Sequence, residues 1–422
     1  MTEKITYEIE GGARLEGEIL LSGAKNSALR LLAASILTNN TVILTGCPVK
    51  LQDSRVHIAM LEALGKVINI DGDTISISEP SGLKTELIWE GPSIRNTLLI
   101  AGALYSRFGV AKVPFPGGCK LGERKIDIHL ELFKAMGAKI APSDTHIILE
   151  KGQHVEGFVD FRLPLRSSGA TENALIMSSF SSVDFKLSNP HVRPEIMDLI
   201  AFLKKIGADI VPFGQDYFKI RGSHLRNVTI THNVIPDNVE AMTWLIGAII
   251  TKGNVSILNF PWAHLEMPMI HLLEGLSFIS YRSGVLRVDG RGATSFELAT
   301  GPYPGINSDM QALFAAYGLQ AQGDSRIVDL RFLDRFQYAS ELKKTGARLT
   351  VEGNSLKING GRPLASAKMN ATDIRGGMAM VLVALIAKGT SQIHNMYQVE
   401  RGYESLDEKL RILGVNVSRN VQ

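Results

Sequence analysis

The sequence predicts an α/β protein of two lobes, each made of three βαβαββ units, and three observations predict it. The first is a repeat: a helix closing on a marker residue, then short alternating strands. The markers are Gly65, Gly137, Gly207, Ser277, Gly346 and Gly414, separated by 72, 70, 70, 69 and 68 residues. Self-similarity at a fixed period signals one supersecondary unit used repeatedly. The second observation is another helix ahead of each marker, apolar nearly all round and therefore buried. The third is the strand-turn-strand pattern after the markers, bent at Asp71-Gly72 in the first unit and at Gly353-Asn354 in the fifth.

In chain order, the first unit holds a buried helix over 28–37, the amphipathic helix ending at Gly65 and a hairpin over 67–77. The second and third repeat this with buried helices over 97–104 and 174–179, and with markers Gly137 and Gly207. The fourth has its buried helix over 242–250 and a degraded marker, Leu272-Leu273-Glu274-Gly275-Leu276-Ser277. The fifth closes at Gly346 with a hairpin over 347–358, and the sixth places a buried helix over 378–386 before Gly414. Each glycine supplies the left-handed residue that ends a helix. Six units fall into two groups of three, residues 23–232 in an N-terminal lobe and residues 1–22 with 233–422 in a C-terminal lobe.

At 422 residues the chain suits two or three domains with a sizeable core. A formal net charge of +3 and 21% charged residues exclude a nucleic-acid-binding arm, so any basic site is local. Two cysteines exclude a disulfide framework and fit a reducing compartment. The N-terminus has no signal-peptide core, and the longest apolar run, 378–387, is short of the roughly 20 residues a membrane span needs. The expectation is a cytoplasmic protein that binds neither membrane nor nucleic acid and is a monomer or weak oligomer. Walker, GxGxxG, HExxH and CxxC motifs are all absent, which leaves no support for a bound nucleotide cofactor or a metal.

Chemistry concentrates where the buried helices begin. Lys25, Arg95 and Arg375 stand in expected first turns, where the helix dipole already presents about half a positive charge. A cation there either reaches out to solvent or meets a bound anion. Asp237 with Glu240 and Ser308 with Gln311 have capping-box spacing. Asp309 either simply suits the dipole as a first-turn acid or, with Ser308 able to cap, is held near cations as a base. Arg401, in Arg401-Gly402-Tyr403-Glu404, is a further anion contact or a surface arginine. Cys119 lies on a Gly/Pro-rich loop beside Lys120, Arg124 and Lys125. Nearby cations favour a reactive thiolate, whereas free cysteines elsewhere are commonly small buried apolar residues.

Together these stretches resemble the enolpyruvyl transferases nearly end to end, most of all the branch that acts on UDP-N-acetylglucosamine. The motifs are Leu21-Ser22-Gly23-Ala24-Lys25-Asn26, Pro116-Gly117-Gly118-Cys119 with Arg124, Asp127 and His129, Gly301-Pro302-Tyr303-Pro304-Gly305 with Asp309, Thr372-Asp373-Ile374-Arg375, and Arg401-Gly402-Tyr403-Glu404. The resemblance implies an inside-out α/β barrel with helix N-termini converging on a cleft. It implies transfer of enolpyruvyl from phosphoenolpyruvate to the 3-hydroxyl of UDP-N-acetylglucosamine, the first committed step of peptidoglycan precursor synthesis. It also implies sensitivity to fosfomycin. Cys119 would protonate the methylene carbon or form an adduct, and Asp309 would be the base. Lys25, Arg95 and Arg124 would hold the phosphate, with Arg375 and Arg401 on the carboxylate. Asn26, Arg124, Lys125, Ile126, Asp127, His129, Ser167, Ser168, Gly169, Asp309 and Arg331 would meet the UDP-sugar.

Several positions depart from that family. Arg30 and Lys125 stand where proline is usual, and Asn238 where an arginine is usual. Leu165-Arg166-Ser167 lacks the lysine-valine pattern at the diphosphate, although Arg166 is a candidate substitute. Arg193-Pro194-Glu195 replaces an acidic-proline-acidic run, and Arg331 lies where an aliphatic residue meets the sugar. The pattern also suits a paralogue with another nucleotide acceptor, such as UMP. A rival of another class is a non-catalytic ligand-binding paralogue, against which the intact Lys25, Cys119, Asp309, Arg375 and Arg401 argue.

Overall fold

The computed structural model describes residues 4–92, 94–116, 126–332 and 334–421. They divide into two compact units, residues 23–235 and residues 4–22 with 236–421. Each has its own apolar core, built on three buried helices and covered by sheets.

The third repeat shows the βαβαββ plan complete. Strand Phe158–Arg162 runs parallel to Asp184–Ser188, and the helix Ser168–Ser178 connects them. The amphipathic helix Pro194–Ile206 then leads to the hairpin Asp209–Phe213 and Tyr217–Arg221, whose second strand lies antiparallel to Asp184–Ser188. In the second repeat Glu86 bridges Lys112 in place of a full first strand. The fifth repeat, with strands Glu297–Ala299, Asp324–Val328, Arg348–Glu352 and Ser355–Asn359, follows the plan around the buried helix Gln311–Gln320.

Three sheets are completed by strands from elsewhere in the chain. The chain enters the first repeat at its helix, Lys25–Ala34, so the missing first strand comes from Ile230–Asn233, parallel to Val42–Thr45. That pairing carries the first unit to Ile235, three residues beyond the expected 232. Glu16–Leu20 likewise heads the fourth sheet beside Asn254–Leu258. Ile5–Glu10 lies between Thr390–His394 and Val417–Val421, finishing the sixth.

The markers behave as their chemistry demands. Gly65, Gly137, Gly207, Gly346 and Gly414 all have positive φ. At the degraded fourth marker the helix Glu266–Leu273 instead ends on a right-handed Glu274. The buried helices run longer than their apolar stretches, to Thr97–Phe108, Asn238–Ile250 and Ile374–Ile386. All thirteen residues of Asn238–Ile250 are buried. Large apolar side chains there contribute about 1.5–3 kcal/mol each. Among the described residues no helix is long and apolar enough to cross a membrane.

Candidate active site

In the first unit the three buried helices are tied together near their starts. The Asn96 amide donates to the Leu29 carbonyl (2.9 Å), and the Asn173 amide to the Leu98 carbonyl (3.2 Å). Lys25 is the first residue of its helix and is buried, with Nζ 3.3 Å from Asp53 Oδ2. Asp53 occupies the first turn of the helix Gln52–Leu64, where the dipole suits an acid. Asn26 is half-buried, and its Oδ1 lies 3.4 Å from Arg30 Nη1. Arg95 precedes its helix rather than standing inside it, because Asn96 takes the cap position and Thr97 is the first helical residue.

The predicted acceptor residues of this unit are partly brought together. Ser167 caps Ser168–Ser178 by accepting from the Ala170 N–H, and Ser168 Oγ lies 2.7 Å from His191 Nδ1. A Cβ built on Gly169 would lie 3.3 Å from His129 Nε2. His129 is buried, with Nδ1 3.1 Å from Asn173 Nδ2. Burial pushes its pKa down to about 3, helped by the nearby Arg95 charge, so it serves as a neutral imidazole beneath Gly169. Ile126 takes the cap position of the helix Asp127–Ala135, and Asp127 is exposed.

Two departures from the family meet in one buried layer. Arg30 Nε lies 2.8 Å from Glu172 Oε1, and Arg193 reaches both oxygens of Glu195 (2.6 and 2.7 Å). Burial alone would raise the Glu195 carboxyl, but Arg193, its hydrogen bonds and the more distant Arg30 outweigh that and hold it low. Arg166, the candidate substitute for the missing lysine, has these contacts within its own repeat. Its guanidinium bonds Gln215 (2.8 Å) and lies 3.4 Å from Asn189 Oδ1, toward the hairpin of its own repeat.

The second unit gathers its charged residues around Asp309. The expected Ser308–Gln311 capping box does not form. Asn307 caps instead, accepting from the Asp309 N–H, and Asp309 lies in a 3₁₀ turn before Gln311–Gln320. Ser308 is drawn away because its hydroxyl donates to Asp329 (2.6 Å). The other expected box is half made. Asp237 caps its helix, but its own N–H bonds the Ser22 carbonyl, so Glu240 accepts from Ser22 N and Trp244 Nε1. Asn238, buried, is the first residue of that helix.

Asp309 Oδ1 is bonded by the buried Arg335, and Arg375 Nη2 lies 3.8 Å from Oδ2. Nothing in the sequence around Arg335 marks burial beside an acid. Burial opposes its charge, but Asp309, with Asp373 and Asp329 behind it, raises its pKa. Arg375 is the second residue of Ile374–Ile386, whose N–H groups are capped by Asp373. Arg401 follows the short helix Tyr397–Glu400, and its Nη1 lies 3.3 Å from Gln398 Oε1. A Cβ on Gly402 would strike Ile374 Cγ2 at 2.4 Å, so only glycine lets this turn lie on the helix that carries Arg375. Arg331 is exposed, 5.8 Å over the Phe332 ring, with its N–H on Asp329. Cys119, Lys120, Arg124 and Lys125 lie outside the described residues.

Residues 9–410 match the family described as EPSP synthase (3-phosphoshikimate 1-carboxyvinyltransferase). The chain belongs to that family. It is 36% identical to UDP-N-acetylglucosamine 1-carboxyvinyltransferase 1 of Caldanaerobacter subterraneus subsp. tengcongensis, covering 99% of this chain and all of the relative. It is also 36% identical to UDP-N-acetylglucosamine 1-carboxyvinyltransferase of Desulfosudis oleivorans, over 97% and 98% of the two chains. The enolpyruvyl transferase NikO of Streptomyces tendae shares the fold with a TM-score of 0.88 at 24% identity over the full length of both chains. EPSP synthase of Acinetobacter baumannii superposes with a TM-score of 0.73 at 17% identity, over 99% of this chain and all of the other. The repeat counted from glycine markers is therefore the repeat of this carboxyvinyltransferase fold.

Proposed function

We propose that this enzyme transfers enolpyruvyl from phosphoenolpyruvate to the 3-hydroxyl of UDP-N-acetylglucosamine and releases phosphate. The supporting observation is Asp309, a half-buried carboxylate between the buried guanidinium groups of Arg335 and Arg375. It lies in a chain whose 36%-identical relatives carry that activity in their names. A carboxylate held by cations is oriented and kept ready to take a proton.

In the addition step the Cys119 thiol protonates C3 of phosphoenolpyruvate. The acceptor oxygen bonds C2 and its proton passes to Asp309. Asp309 then passes that proton to solvent, and the Cys119 thiolate regains one from solvent. In the elimination step the new methyl group loses a proton to the freed Asp309 carboxylate and its electron pair re-forms the C2–C3 double bond. The C2–O bond breaks with its pair leaving on phosphate, and Asp309 releases its proton to close the cycle. Phosphoenolpyruvate brings about three negative charges, which ask for charge-assisted partners. Lys25, Arg95 and Arg124 take the phosphate, and Arg375 and Arg401 the carboxylate. Asn26 and Ser167 to Gly169 face the acceptor, as do Arg124 to Asp127. His129, buried and neutral, supports Gly169 from beneath.

A second reading, another nucleotide acceptor, is favoured by the exposed cation of Arg331, where an aliphatic residue is usual. Phosphate release from phosphoenolpyruvate, assayed with UDP-N-acetylglucosamine, UMP and shikimate 3-phosphate, separates the readings. Release that requires UDP-N-acetylglucosamine is expected. Release with UMP alone selects the second reading, and no release with any acceptor leaves a binding protein.

A further inference from the structure

Asp329 sits at the end of strand Asp324–Val328 and is fully buried, at 0% exposure. A buried carboxylate costs several kcal/mol unless its lone pairs are met. Here four donors meet them. Thr300 Oγ1 (2.9 Å), the Arg331 N–H (2.8 Å) and the Phe332 N–H (3.1 Å) bond Oδ1, and Ser308 Oγ (2.6 Å) bonds Oδ2.

The Ser308 bond has a direction that propagates. A serine hydroxyl has one proton. Given to Asp329, it leaves Ser308 Oγ able only to accept, and the group facing it is Arg335 Nη1 at 2.8 Å. The other end of the same guanidinium, Nη2, bonds Asp309 Oδ1. A planar fork pinned at one nitrogen has little freedom at the other. One buried acid therefore fixes, in series, a hydroxyl, a guanidinium and the half-buried carboxylate of the site.

We propose that Asp329 is a positioning residue for the transfer reaction: through Ser308 and Arg335 it sets the place of the Asp309 carboxylate, and through two backbone N–H groups it sets the turn that carries Arg331. This rests on the reading of Asp309 as the base. Asn at 329 has nearly the same shape but turns an N–H₂ donor toward Ser308. The hydroxyl must then reverse, and its proton meets an Arg335 N–H. The link breaks without a cavity.

Asp329→Asn, Ser308→Ala and the double variant test this in the full chain, with phosphate release read as kcat and KM. A carbon-13 titration of the Asp309 carboxyl gives a readout independent of turnover. Among the described residues, the charges facing Asp309 in that titration include Arg335 and Arg375, with Asp373 and Asp329 near the first and Asp237 near the second. Misplacing a reacting group by an ångström costs about 10²-fold. Asp329→Asn is expected to lower kcat by about that factor, with KM for phosphoenolpyruvate little changed. Ser308→Ala lowers it less, the double variant no further than Asp329→Asn, and the Asp309 titration moves upward. Losses that multiply in the double variant, or an unmoved Asp309 titration, overturn the proposal. Should Asp309→Asn keep full turnover, the reading of Asp309 as base fails, while the titration still decides whether Asp329 positions it.

Discussion

Two helix starts in different units carry opposite charge, at the first residue of one helix and in the 3₁₀ turn that leads into the other. At Lys25–Ala34 the ligand-facing candidate is a cation, Lys25, held by an acid, Asp53, on the next helix. Before Gln311–Gln320 the candidate is an acid, Asp309, held by Arg335 and Arg375 from the following segments. In both, the first turn holds one group ready for the ligand and a neighbouring element supplies its counter-charge. On the proposed roles, such a repeat would be divided between binding an anion and moving a proton.

The largest effects come from removing the groups themselves. Asp309→Asn is expected to lower kcat by about 10²–10⁴-fold, the usual loss of a general base. Lys25→Met should cost about 10²–10³-fold, as for a lost transition-state charge contact. Phosphate release measures both. The counter-charges come next. Asp53→Asn leaves Lys25 in place but unsteered, and a loss of about 1.4 kcal/mol in binding raises KM for phosphoenolpyruvate about tenfold. Equal losses in Asp53→Asn and Lys25→Met would mean that Asp53 itself touches the ligand.

The buried layer behind Asn26 sharpens the comparison through stability. Arg30→Met leaves Glu172 buried without the cation 2.8 Å away. Breaking such a pair costs about 3–5 kcal/mol, to be read as a lower urea midpoint. A pH dependence follows as well, and two buried imidazoles of the first unit contribute to it. Burial lowers His57 and His129 to about 3 each. The unfolded chain therefore binds protons below about pH 6.5 that the folded chain refuses until near pH 3. Stability is flat above that range and falls as pH drops through it, by up to about 1.4 kcal/mol per pH unit for each imidazole. Melts at stepped pH measure it, and His57→Phe should remove its share of the slope.

The repeat was legible because its signals are local. A left-handed glycine and a hairpin turn are chosen by backbone conformation within a few residues, so Gly65 or Gly353 can be read without knowing their neighbours. The strands at Ile5–Glu10, Glu16–Leu20 and Ile230–Asn233 were not assigned to their sheets, since pairing across hundreds of residues leaves no period. Lys25, Asp309, Arg375 and Arg401 were legible by type and by the motifs around them. Arg335 and Asp329 were not, because each gains its meaning from a partner some 20 residues away that only folding brings near. The failed capping box at Ser308 has the same cause: Asp329 takes the hydroxyl proton and Arg335 donates to the oxygen, which turns it away from the helix N–H.

The most direct test of enolpyruvyl transfer is the proton NMR spectrum of the protein incubated with phosphoenolpyruvate and UDP-N-acetylglucosamine. The account predicts a new pair of vinyl protons, from an enol ether on the sugar 3-oxygen, growing as inorganic phosphate appears. Unchanged phosphoenolpyruvate, or phosphate without the vinyl ether, would contradict it.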